Sequence, residues 1–363
     1  MRSMAAICLV FGLLFAWALP SESAIVQLDY SFDAANGNFF GTHADAKAAV
    51  EAAAQDLNNA IVGTLGAIAT DVYAGTNGGT TATFDWRLNF NNPSTGTTVT
   101  QNTFNAPVNL VTVYVGMRPL IGAPLGVGGP AGAGFSLSGT GSASQWIGAV
   151  TAAQNASNAA MPRGSGPVMG TFSGSSTLGG TTANYNVSYG AIAGSLSLDN
   201  DSDNNGTADS DALLATYWHY NHTTAVAAGK NDFYSVALHE IIHAIGVGTS
   251  STWTSLIPTG TTDWTGANVI TLRGNGTNIV TGDGAHIADG AMSISISTGL
   301  AQEAVMDPSI TQGTRKGLTQ LDLAFLRDIG FSTVPEPSAL LLVLAAALPL
   351  MLARRRKMDA SFA

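Results

Sequence analysis

Residues 239–249 read His-Glu-Ile-Ile-His-Ala-Ile-Gly-Val-Gly-Thr. Histidines four apart project from one face of a helix, where two imidazoles can meet one zinc ion. Glu240, beside the first of them, is close enough to hold a metal-bound water without ligating the metal, which makes it a candidate general base. The same spacing also occurs in ordinary helices, whose histidines are core or surface residues. A hydrolytic site needs three good protein ligands and a water. Thr249, three residues after Gly246, offers only a neutral hydroxyl, so His239 and His243 require a further ligand from elsewhere in the chain.

The elements that must position these residues can be read around them. "NDFYSVALHEIIHAIG" is a helix pattern that starts from a cap region at Asp232 and stops at Gly246, where glycine permits a sharp departure of the chain. Downstream, "AVMDPSI" puts Met306 in a short turn ahead of a last helix, "LTQLDLAFLRDIGF", with Thr319 and Asp322 as its capping pair and Gly330 as its stop. Residues 43–69 carry Ala, Val, Leu and Ile at helical spacing and predict one long early helix. Between residues 70 and 199 the pattern changes to short alternating runs: "TATFDWRLNF", "VNLVTVYVGM" and "ANYNVSYGAIAGSLSLD" read as strands of a mixed sheet. The Gly/Ser/Thr-rich residues 164–182 read as a loop or hairpin-rich insertion, and no fixed-period repeat is present. The fold class expected is α+β.

The helix, its glycine, the Met306 turn and the last helix together resemble the metzincin clan of zinc endopeptidases, and "DFYSVALHEIIHAIGVGTS" is most similar to the matrixin helix. The motifs cover residues 232–331, and the early helix and sheet match only in outline. The resemblance implies a mixed twisted sheet, an HExxH active-site helix, and Met306 as the Met-turn residue beneath the zinc. Matrixins carry a third histidine where this chain has Thr249. Leishmanolysin-like metzincins postpone that histidine by an insertion, and here residues 251–281 read as an inserted loop and hairpin, with Trp253 and Trp264 covering its small core. Of six histidines (His43, His219, His222, His239, His243 and His286), only His286, in "GDGAHIADG", follows the helix. It also precedes Met306, as the clan's third ligand does, and is the expected third ligand. Glu303 is its rival, because a carboxylate from a later helix completes the site in the gluzincins, and the glycines around His286 also suit a surface-loop histidine. His219 and His222, in "YWHYNH", are expected to pack or to face solvent.

The chemistry implied is hydrolysis of a protein or peptide substrate. Zinc polarises the scissile carbonyl and acidifies its water, and Glu240 passes the water's proton to the leaving amine. An extended substrate would lie antiparallel to an edge strand, for which residues 184–199 are the candidate, since they precede the zinc helix. No tyrosine follows Met306, which leaves zinc as the one oxyanion stabiliser that can be named. The alternative is a non-catalytic extracellular matrix or adhesion protein on a metalloprotease fold. Thr249 and the Gly, Thr, Ser and Asn content suggest it; the retained Glu240 argues against it, because a structural zinc has no use for that acid.

A second group of ligand-type residues is "LDNDSDNNGTADSDA", where Asp201, Asp203, Asn205 and Asp209 alternate around Gly206 as a Ca2+ loop requires. Ala212 stands where an EF-hand places its bidentate glutamate, so a solvated acidic loop is the competing reading.

The chain has 363 residues, 45% of them hydrophobic, enough for a large core; one catalytic domain with insertions over residues 24–333 is expected. A formal net charge of -10 with only 10% charged residues, and no basic patch outside the termini, argues against nucleic acid and anionic membrane surfaces as partners. Residues 1–23, with Arg2, an apolar run and Ser21-Glu22-Ser23, read as a secretory signal. The only cysteine, Cys8, lies inside it, so the exported chain is expected to carry no disulfide. Residues 334–363 combine Val334-Pro335-Glu336-Pro337, sixteen apolar-rich residues and Arg354-Arg355-Arg356-Lys357. As a helix such a run spans only about 24 Å, short for a ~30 Å hydrocarbon core. The three parts resemble the PEP-CTERM sorting signal of Gram-negative bacteria. That resemblance implies an exosortase-type partner, membrane contact through this tail alone as a short transmembrane segment, and delivery to the cell surface or extracellular matrix. A plain C-terminal anchor has the same three parts.

Overall fold

The computed structural model describes residues 25–334, apart from residues 63 and 123. The expected signal segment, and the tail from Pro335 onward, lie outside the described residues. The ten main strands are β1 (Val26–Asp29), β2 (Val72–Asn77), β3 (Thr80–Asn91), β4 (Thr98–Gln101), β5 (Val111–Arg118), β6 (Gly126–Pro130), β7 (Gly132–Thr140), β8 (Val168–Leu178), β9 (Thr181–Gly190) and β10 (Ala193–Asp199). The four longest helices are α1 (Ala44–Ala60), α2 (Trp146–Ala160), α3 (Phe233–Ala244) and α4 (Gln320–Asp328). The architecture is mixed α+β with open sheets.

Alternate residues of β5 and β10, among them Val113, Val115, Leu196 and Leu198, are buried and give one apolar face to a four-stranded sheet of order β1-β5-β10-β6. β1, β5 and β10 are parallel, and β6 runs antiparallel to β10 at the edge. Helices α1 and α3 pack on each other, and α3 packs on β10 and β6.

The strands expected in one sheet are divided among three. β3 pairs with β2, β4 and β7 in a separate antiparallel sheet. Residues 184–199 belong to two strands: β9, in a hairpin with β8, and β10 in the first sheet. Alternation is the reason for the misplacement. It specifies which face a strand buries, as Ala82, Phe84, Trp86 and Leu88 do in β3, but not which strand lies beside it. The same stretch holds α2, which was not expected. Its buried Trp146, Ala149, Val150, Ala153 and Ser157 keep helical spacing, yet Ala, Ser and Asn give the pattern little contrast.

The early helix is shorter than its apolar spacing suggests. α1 ends at Ala60, and Ile61, Leu65 and Ile68, although four and three apart, are buried through separate bridges to Thr333, Gly164 and Ala106. At the other end of the fold, α4 forms the expected capping box between Thr319 and Asp322, and Gly330 follows it at φ 109°. The insertion after α3 contains two helical turns, Ser251–Ser255 and Ala267–Arg273, in place of the expected hairpin. The Trp253 and Trp264 rings meet tilted at 4.4 Å and both rest on Phe325 of α4, at 5.1 and 4.7 Å, so the insert's core is continuous with the last helix. Among the described residues no helix is long and apolar enough to cross a membrane.

Candidate metal centre

Helix α3 begins where expected. The Asp232 carboxylate accepts from Ser235 N at 3.1 Å and is paired with the Arg315 guanidinium at 2.7 Å, which ties the helix start to the segment after the Met306 turn. The helix is buried nearly all round; of its twelve residues only His239 keeps partial exposure. Polar groups in such a helix need partners.

His243 Nε2 lies 3.1 Å from His239 Nε2 and 3.2 Å from His286 Nε2. The far nitrogens of the two helix residues are committed: His239 Nδ1–H donates to Val305 O at 2.7 Å and His243 Nδ1–H to Val247 O at 2.8 Å. These bonds select the tautomer, so on neutral rings the facing Nε2 atoms present lone pairs to one another. Burial, then the neighbouring His243, holds His239 well below the ordinary histidine range, and burial pushes His243 down to about 4. Lone pairs at this separation repel unless a cation stands among them, and a set of imidazole nitrogens steadied by backbone carbonyls is what a metal site requires. His239, His243 and His286 therefore fit a metal ion, in agreement with their mutual placement.

His286 reaches the helix through a close-packed loop. Trp253 Nε1–H donates to Gly284 O at 2.6 Å, and Thr281 and His286 exchange contacts at 3.0 and 3.1 Å. Where this loop crosses the end of α3, a Cβ at Gly248 would stand 2.0 Å from Ala285 O, and both Gly246 and Gly248 have positive φ, at 120° and 75°. Only glycine suits such a crossing. Met306 is fully buried, its N–H donates to Asp322 Oδ1 at 3.2 Å, and its carbonyl accepts from Ile287 N at 3.0 Å. Val305 N donates to the same carboxylate at 3.1 Å, while Val305 O holds His239. The capping residue of α4 thus fixes the turn that orients one histidine and touches the neighbour of another.

Glu303, the rival ligand, and Thr249, at the position of the matrixin histidine, take other roles. Glu303 is ion-paired with Lys316 Nζ at 2.8 Å and belongs to no metal-competent group among the described residues. Thr249 Oγ1 donates to His243 O at 3.0 Å, closing the end of the helix. The remaining histidines lie elsewhere: His43 stacks on Phe39 at 3.9 Å, His219 meets Thr224 at 3.2 Å, and the His222 carbonyl accepts from Arg315.

Glu240 lies beside the triad in a cleft of about 750 Å³. Its Oε2 accepts Gly128 N–H at 2.5 Å; burial raises its pKa to about 7, against the effect of that bond. The strand that passes here is β6, and this corrects the expectation placed on residues 184–199. β10 is paired on both sides, whereas β6 ends the sheet. A Cβ at Gly128 would stand 2.2 Å from Glu240 O, so β6 is pressed onto the helix through missing side chains. The glycines of "GVGGP" were the signal for this approach, and their weak strand propensity concealed it. Tyr217 also lines the cleft, from a short helix that precedes α3; burial and then Asp199 push its phenol up to about 12, so it keeps its proton.

The acidic loop is brought together as well, with ligand oxygens of Asp201, Asp203 and Asp209 within 4.8 Å of one another. The Asn205 side chain instead accepts from Thr207 N at 2.9 Å. The chain matches no protein-family model, no curated protein and no solved structure.

Proposed function

We propose that this chain is an exported zinc endopeptidase of metzincin type, with His239, His243 and His286 as metal ligands, Glu240 as general base and Met306 in the turn beneath them. The observation that carries the reading is the convergence of three Nε2 atoms beside a buried carboxylate and a sheet edge that no strand pairs among the described residues. Zinc bound there supplies a Lewis acid that polarises a carbonyl and acidifies a water. Glu240 accepts a proton at its free carboxylate oxygen while Gly128 N–H holds the other, and it delivers that proton to the leaving amine. β6 offers its outer edge to an extended peptide. Export and exosortase-type sorting rest on the sequences at the two ends, and Ca2+ in the acidic loop on its ligand spacing.

The test is hydrolysis of casein or gelatin by the purified protein with and without a chelator. Cleavage abolished by the chelator and restored by zinc is the expected result. Stoichiometric zinc with no chelator-sensitive cleavage would overturn it in favour of a matrix or adhesion protein on the same fold.

A further inference from the structure

A peptide added at the edge of β6 alternates its side chains between the two faces of the sheet. One face meets the metal cleft. The other meets a groove of about 280 Å³ that lies on the opposite side of β6 and shares Val127 and Gly128 with the cleft. β3 and β4 form its far wall, and Asn89, Asn91, Thr98, Ser195 and Ser197 make it polar. Its one charged residue is Arg118, at the end of β5.

The Arg118 guanidinium donates through Nε to Ser197 Oγ at 3.2 Å; among the described residues no hydrogen bond or carboxylate within ion-pair distance engages its two terminal nitrogens. Burial lowers its pKa, and the nearby Asp199 acts in the opposite direction. A cation held in a groove with spare donors is matched by a carboxylate. On β6 the groove face is open at Gly129, level with Ser195, where an added Cβ would meet no atom within 4 Å, while Val127 stands level with Ser197. A peptide outside β6 lies three strand spacings, about 14 Å, from β5, and Arg118 spans the first of them to Ser197 on β10, so the longer reach of Glu serves better than Asp.

We infer that the Arg118 groove is a carboxylate-recognising subsite, and that the protein prefers a glutamate at a substrate position whose side chain points away from the metal cleft. This rests on the endopeptidase reading. The ligand's carboxylate can come from a side chain or from a free C-terminus, and amidated peptides separate the two.

The experiment uses internally quenched peptides carrying Glu, Asp, Gln or Lys at each position around the cleaved bond, in amidated and free-acid forms. One position, an odd number of residues from the one that fills the metal cleft, should show Glu over Gln by about tenfold in kcat/KM, the effect of one charge-assisted hydrogen bond. That ratio should fall to near one in Arg118→Gln, turn towards Lys in Arg118→Glu, and fall in Gly129→Glu, whose new side chain enters open space. A preference seen only with free-acid peptides assigns the groove to the C-terminus and overturns the side-chain subsite. Equal Glu and Gln in the wild type, or an unchanged ratio in Arg118→Gln and Gly129→Glu, overturns the inference altogether. Absence of any cleavage defeats the endopeptidase reading instead, and fluorescence anisotropy of the same peptides then decides the subsite by whether Glu binds tighter than Gln and loses that advantage in Arg118→Gln.

Discussion

Two places in this molecule gather ligand-type side chains, and they are built oppositely. In the histidine triad the outer nitrogens of His239 and His243 are taken by Val305 O and Val247 O, so the inner nitrogens face one another with no proton between them. In the acidic loop the carboxylates are already answered by their own backbone: Asp201 accepts from Asn205 N at 2.9 Å and Gly206 N at 2.7 Å, and Asp209 from Ser202 N at 2.7 Å. The first arrangement is incomplete without a cation. The second is shaped by its own backbone, yet among the described residues Asp203 Oδ2 and Asp209 Oδ1 accept no hydrogen bond, and a carboxylate oxygen that accepts one N–H keeps a lone pair that a cation can share. Spacing made both look like metal sites, and both bring ligand atoms within 4.8 Å of one another; the direction of the surrounding hydrogen bonds is where they differ.

The largest effect tests what the triad is for. Glu240→Gln should retain stoichiometric zinc while turnover on peptides falls by roughly 10² to 10⁴, the range for a lost general base. Full activity in that variant would remove Glu240 from the chemistry.

Next, His286→Ala should lower metal affinity by more than the ~10- to 100-fold that removal of an outer partner costs. Glu303→Ala and Thr249→Ala should keep their metal, because Glu303 pairs with Lys316 and Thr249 serves the helix end. Metal analysis of the three purified variants decides, and zinc lost from Glu303→Ala but kept by His286→Ala would reverse the ligand assignment.

Trp253→Ala should cost about 3–5 kcal/mol in chemical denaturation, as a buried tryptophan removed from a core does. It should also weaken zinc binding, because Trp253 holds Gly284 O two residues before His286. Destabilisation without any change in zinc affinity would show that the loop keeps its shape unaided.

The smallest effect falls on the acidic loop. It lacks a bidentate glutamate and both Asp201 oxygens already accept backbone N–H groups, so millimolar Ca2+ should raise the Tm by no more than a few degrees. A shift above about ten degrees would place it with the triad as a built cation site.

Legibility followed the range of each interaction. The helix caps at Asp232 and Thr319 and the i,i+4 pair on α3 could be read because donor and acceptor lie within one turn of each other. The extent of α1 was overread because Ile61, Leu65 and Ile68 keep helical spacing while making bridges to three distant segments. Asp322 was legible as a cap, but its second task, holding Val305 N and Met306 N, was not, since those groups lie 17 and 16 residues away.

The sequence by itself determined that His239 and His243 share a helix face with Glu240 beside them, because helical geometry depends only on local spacing. It also narrowed the third imidazole to the one histidine after that helix. Tertiary structure alone decided that His286, 43 residues from His243, arrives within 3.2 Å of it, and that β6 lies along the cleft, with Gly128 meeting Glu240 across 112 residues. Such contacts depend on which surfaces pack together, and no local period in a chain encodes its distant partner.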